Sequence, residues 1–312
     1  MPATPPSRPL LLASFATIYL VWGSSFAATK FMVHELPPLL AGAARFTVAG
    51  LLLTLVALLL GHALPRPARE WRHFAIMGLT QVMLSSGLNA VAMRHVASSE
   101  SALLNASSAL WIPLLGAAGV RAHPLTLRVG TGIAVGCAGL ALLLWPKAGF
   151  SLRDLGWQLV VVGACFAWAV GTVYYRGART TTPTLMFIAL EMLLGGLMMG
   201  SVGFTLGEGP QWRFDGPGLA ALGFLMLFSS CFAYTAFAYL TQHTTPARLS
   251  TYAYVNPAIA ALVGWALLGE RLTAPQLAGT GVILLGVVIV SLPDAAGAPV
   301  PAVPAGPAEP TG

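Results

Sequence analysis

Two ionisable side chains, Arg45 and Glu191, stand deep inside apolar stretches of this chain. Three kinds of chemistry suit them. They form an ion pair with each other, or each is a structural group satisfied by backbone and polar neighbours in its own half. Alternatively, Glu191 is a proton-coupling carboxylate. Each sits eight residues past a proline, Pro37 and Pro183, which is about 12 Å along a helix. Entered from opposite faces of a hydrocarbon core about 30 Å thick, those depths differ by only about 6 Å.

Neutral polar residues recur at helical spacing. Gln81, Ser85 and Asn89 are four apart, and Ser98, Ser101, Asn105 and Ser108 form a second stripe. Further stripes are Trp168–Thr172–Tyr175, Ser230–Tyr234 and Thr245–Arg248–Tyr252–Asn256, with Trp22 beside Ser25 near the start. Such groups are costly against lipid and usually face a bundle interior or water. The competing reading is a set of interhelical hydrogen bonds with no ligand. As a cavity, the aromatic walls are Trp22, Trp168, Tyr234, Tyr252 and Tyr254, and the oriented hydrogen bonds come from Gln81, Asn89, Asn105 and Asn256. A few placed polar groups in a mostly apolar surround is the usual make-up of a small-molecule site.

Other chemistry is sparse. The chain has no phosphate-binding glycine loop, no His/Glu metal spacing and no GxSxG elbow. No catalytic residue, metal site or cofactor is therefore expected. An integral-membrane enzyme would need titratable groups clustered at one depth. Cys137, Cys165 and Cys231 lie in separate apolar segments and read as small packing residues. No basic run has interleaved aromatics, so nucleic acid is not an expected partner.

The elements that must position these groups follow from composition. The 312 residues are 56% hydrophobic and 8% charged, against roughly 25% charged in a soluble protein. A membrane span takes about 20 apolar residues. Spans are expected at 10–30, 38–60, 73–93, 98–120, 127–145, 156–175, 184–206, 218–240, 246–268 and 275–292. The first of these is long for a signal peptide and reads as a retained span. Thr182-Pro183 and Thr245-Pro246 read as a capping hydroxyl before a proline in the first helical position. Pro113 and Pro257 fall inside spans, where each frees a carbonyl and kinks the helix.

The chain also contains itself twice. Trp22, Lys30, Pro37, Arg45 and Gly50 recur 146 residues later as Trp168, Arg176, Pro183, Glu191 and Gly196, and the offset then becomes 147. Five spans per copy, an odd number, make the copies enter the bilayer from opposite faces. The expected fold is an all-α integral membrane protein of ten helices in two inverted five-helix repeats, an arrangement many secondary transporters use. Residues 1–9 are a cytoplasmic segment, 10–145 the first repeat, 146–292 the second, and 293–312 a disordered tail. Lys and Arg number nine on the N-terminal face and six on the other, which favours cytoplasmic termini.

Polar stripes put spans 1, 3, 4, 6, 8 and 9 around a central cavity, with 2, 5, 7 and 10 outside. Arg45 and Glu191 would then sit on outer helices, leaving no charge at cavity depth and disfavouring a highly charged substrate. The ladders Gly132-Gly136-Gly139 and Gly279-Gly286 suit close packing, within one chain or across a homodimer.

WGSSF (Trp22–Phe26), LPPLLAGAARF (Leu36–Phe46), TYAYVNP (Thr251–Pro257) and LLGERLT (Leu267–Thr273) resemble the drug/metabolite transporter superfamily. Within it they are similar to the EamA family and its YedA-like exporters, over about residues 10–292. The resemblance implies a ten-span inner-membrane secondary transporter exporting amino acids, other metabolites or drugs, with a cavity on the same six spans. Gly269-Glu270 aligns with Ala122-His123 in the first repeat, so Glu270 and Arg271 read as a loop pair orienting the turn. The expected activity is alternating-access efflux of a small amphipathic metabolite, with protons a candidate coupling ion. The alternatives are a passive facilitator or channel, and a structural or sensory membrane protein.

Overall fold

The structure is a computed structural model describing residues 8–118, 127–143, 152–178, 180–212, 216–243 and 252–291. The N-terminal segment, Thr245-Pro246, Arg248 and the tail lie outside the described residues, as do the side chains of Pro113 and Tyr254.

Spans 1, 2 and 3 are Arg8–Glu35, Pro38–Leu59 and Ala68–Ala92. Span 4 is broken into Ser98–Asn105 and Ser108–Ala118, and span 5 is Leu127–Leu143. Spans 6 and 7 are Leu152–Gly177 and Thr184–Thr205. Span 8 runs as Pro217–Phe224, Leu225–Ala233 and Tyr234–His243, span 9 covers Tyr252–Leu268, and span 10 is Ala274–Ser291. Among the described residues, six helices are long and apolar enough by themselves to cross a bilayer. Leu20, Leu51, Leu55, Leu197, Phe232, Leu262 and Leu285 lie exposed on the outside. In water such a surface would be an aggregation patch; against acyl chains it is solvated.

Glycine sets how the repeats meet. Spans 2 and 7 pack face to face, as do spans 5 and 10. A methyl on Gly50 would lie 2.6 Å from the Leu193 nitrogen, and one on Gly196 would lie 2.6 Å from the Thr47 nitrogen. A methyl on Gly286 would lie 2.6 Å from the Gly136 nitrogen, and one on Gly139 would lie 2.8 Å from the Gly279 oxygen. Backbones approach this closely only where no Cβ intervenes. Both glycine ladders are thus spent inside the chain rather than on a second copy.

Among the described residues, two segments have π-helical winding, Gly78–Ser86 in span 3 and Leu225–Ala233 in span 8. They are nine residues each and 147 apart, so the repeats share the feature. The wider winding rotates every later side chain relative to an ordinary helix. Span 4 breaks at Ala106–Ser107, where hydrogen bonds shorten to three-residue steps such as Ser107 N to Leu104 O, 3.0 Å. The break falls upstream of the expected kink at Pro113. Pro257 lies inside span 9 as expected.

The bundle end opposite the first residues is tied across the repeats. Pro37, Ala97 and Gly216, the residues before spans 2, 4 and 8, make no capping bond through a side chain. Their orphan N–H groups, at the positive end of the helix dipole, need an acceptor. Carboxylates from elsewhere supply it. Leu39 and Leu40 N–H donate to Glu208 Oε2 at 3.0 and 2.8 Å. Ser98 and Ser99 N–H donate to the Glu270 carboxylate at 2.7 and 2.9 Å, and Gly218 N–H donates to Glu35. Glu270 therefore joins the repeats instead of forming the expected loop pair with Arg271. Lys30 caps the C-terminal end of span 3 through the Met93 and Val96 carbonyls, 2.6 and 2.9 Å. At the other end, the Thr180 and Thr182 hydroxyls and Thr181 N–H donate to Glu70. Span 7 begins at Thr184 after Pro183, and the Thr182 hydroxyl serves Glu70 instead of capping.

Two expectations follow. Gly50→Ala and Gly286→Ala force backbones apart and should each cost about 1–3 kcal/mol. Gly281→Ala, which meets open space on the same helix as Gly286, should be neutral in thermal melts of detergent-purified protein. Burial acts to raise the Glu270 carboxyl, but hydrogen bonds from Ser99 and Ser98 outweigh it and hold it below its usual value of 4.5. A carboxyl depressed in the folded state stabilises above the unfolded value and loses that contribution as pH falls. Glu270→Gln should therefore be less stable than the parent at pH 7, by about 1 kcal/mol. The gap should close as pH falls below 4.5.

Candidate functional site

A cavity of about 190 Å³ is lined by spans 1, 2, 3, 4, 6, 8 and 9. Trp22, Asn89, Asn105, Trp168, Tyr234, Tyr252 and Asn256 all border it. Spans from both repeats thus contribute.

An aromatic cluster closes one side. The Trp22 ring packs on Tyr234, Phe237 and Tyr252, with centroids 5.3, 5.2 and 5.6 Å away. Trp22 Nε1 donates to the Ser229 carbonyl at 3.2 Å, tying span 1 to the π-helical turn of span 8. A polar network forms another wall. The Ser101 hydroxyl donates to Asn89 Oδ1 at 2.7 Å, and Asn105 Nδ2 donates to the Ser101 carbonyl at 2.8 Å. Asn256 is buried beside Pro257, and its Oδ1 has no partner among the described residues.

Gln81 is not in the wall. It is buried and its Nε2 donates to Thr172 Oγ1 at 3.1 Å, joining spans 3 and 6. The four-residue stripe assumes ordinary winding throughout. The π-helical segment around Gln81 breaks that assumption and leaves Ser85 and Asn89 toward the cavity without it.

Span 2 does line the cavity, through Gly42, Arg45 and Phe46. Arg45 Nε donates to Ser230 Oγ at 2.9 Å and Nη2 to Ser229 Oγ at 3.0 Å. Its guanidinium carbon stands 4.5 Å from the Phe46 ring centre, within cation–π range. A positive charge is therefore present at cavity depth, and its hydroxyl partners belong to the opposite repeat. No Arg45–Glu191 ion pair forms. Glu191 is buried in span 7 and does not border the cavity. Tyr234 lies within electrostatic reach of both.

Two inverted five-helix repeats around a mostly apolar cavity with a few placed polar groups are the arrangement of a membrane transporter. The chain belongs to the EamA-like transporter family, whose model matches residues 10–145 and 155–292. It is 36% identical over 290 residues to the uncharacterized inner membrane transporter YedA of Escherichia coli (strain K12), covering 91% of each chain. It is 24% identical to the uncharacterized transporter YvbV of Bacillus subtilis (strain 168), covering 93% of this chain and 94% of that one. A solved crystal structure shares the fold with TM-score 0.64 at 22% identity, over 91% of this chain and 98% of the other. The protein is a multi-pass inner membrane protein of this family.

Proposed function

We propose that the protein is a secondary carrier that exports a small amphipathic metabolite by alternating access. The observation that carries this reading is the cavity itself, lined by spans of both inverted repeats. Repeats entering from opposite faces can exchange conformations, and the exchange moves the opening from one side to the other. Trp22, Trp168, Tyr234 and Tyr252 supply apolar contact to the substrate, and Asn89, Asn105 and Asn256 supply hydrogen bonds. The Lys/Arg bias of the loops supports cytoplasmic termini.

Protons are the candidate coupling ion. Glu191 supports this as a buried carboxyl with no ion pair among the described residues, adjacent in its electrostatics to Tyr175 and Tyr234.

Counterflow in proteoliposomes with labelled amino acids, with and without a pH gradient, tests the carrier. Saturable exchange is expected, with a half-saturation concentration about 10-fold higher in Asn256→Ala, equivalent to about 1.4 kcal/mol. A response to the pH gradient that disappears in Glu191→Gln is the outcome for proton coupling. Linear, non-exchanging flux would identify a channel instead.

A further inference from the structure

We propose that Arg45 is the anchor for a substrate carboxylate, so that the cavity selects monocarboxylates and zwitterions over amines and neutral amides. This rests on the carrier reading above and names the substrate class of that same cavity.

The argument begins with an imbalance of charge. Arg45 borders the cavity at the middle of the bundle, and its bonded partners are the neutral hydroxyls of Ser229 and Ser230. No carboxylate pairs with it among the described residues. Glu191, its repeat equivalent, is buried away from the cavity. A cation at membrane depth without an anion is costly, and an arginine in that position usually finds one. A guanidinium has five N–H donors. The two serine bonds use two, leaving three for a ligand. The planar fork suits the bidentate geometry of a carboxylate.

The serines are positioning residues. They belong to the π-helical turn of span 8, so the opposite repeat orients the guanidinium while Phe46 packs under it. One positive charge in a wall otherwise lined by neutral groups is balanced by one negative charge. A dianionic phosphate would leave an uncompensated charge inside. The rings of Trp22, Trp168 and Tyr252 then take the apolar part of the ligand. A second polar group, such as an ammonium, finds an acceptor in Asn256 Oδ1, buried beside the cavity and unbonded among the described residues.

The test is equilibrium binding to full-length protein in detergent, read by titration calorimetry. The probes are 4-methylpentanoate, leucine, 4-methylpentanamide and 3-methylbutylamine, with the phenyl-bearing counterparts of each. The two carboxylate-bearing probes should bind at least about 10-fold more tightly than the amide and the amine. Arg45→Gln should remove that preference, Arg45→Lys should keep part of it, and Ser230→Ala should weaken it while leaving the charge in place. Should Arg45→Gln fail to fold, Ser230→Ala and the parent's own ranking of probes still decide. Equal binding of amides and carboxylates, a preference that survives in Arg45→Gln, or no binding by any carboxylate overturns the assignment. Saturable counterflow of the amine or amide alone would keep the carrier and remove the Arg45 anchor. Non-saturable flux of every probe, alongside a carboxylate preference in binding, would do the reverse.

Discussion

Close approach of backbones in two helix pairs, spans 2 with 7 and 5 with 10, is the constraint on which the rest of the molecule depends. Each pair joins equivalent helices of the two repeats, and glycines sit where a side chain would collide with the facing main chain. In a bilayer there is little hydrophobic drive between helices, so such contact carries association. With these pairs fixed, the remaining spans are held around a central space.

The two repeats match in shape more closely than in chemistry. Their π-helical segments coincide, and so do the glycine-mated helices. Yet the equivalent positions Arg45 and Glu191 hold a base and an acid, one at the cavity and one buried apart from it. The serines that hold Arg45 have Val82 and Met83 at the corresponding places in the first repeat. A pseudo-symmetric scaffold thus presents an asymmetric site. Likewise, the carboxylates Glu35, Glu208 and Glu270 all fasten one end of the bundle.

The spans were legible because apolar runs of the right length, separated by short polar loops, admit few other structures. The cavity was legible where several polar residues repeat at helical spacing, as with Asn89 or Asn105. Arg45 escaped that test because it is a single polar residue in an apolar span, though Gly42 and Phe46 on the same helix flank it at the wall. Gln81 misled because regular winding was assumed through a π-helical segment that has no simple sequence mark. The helix caps were hidden for another reason. Glu208 and Glu35 meet their N–H partners from 168 to 183 residues away, far beyond any local capping pattern.

Alternating access requires the end fastened by Glu35, Glu208 and Glu270 to come apart during each cycle. A Cβ on Gly218 would stand 2.9 Å from that of Glu35, closer than the roughly 3.5–4.5 Å a disulfide spans, so the pair reaches bonding distance once the two backbones ease apart by under about 1 Å. The most direct measurement is counterflow by the Glu35→Cys, Gly218→Cys pair, with the native cysteines replaced by alanine, before and after oxidation. Arrest on oxidation and recovery on reduction is the predicted result. Undiminished exchange in fully cross-linked protein would contradict a cycle that opens this end.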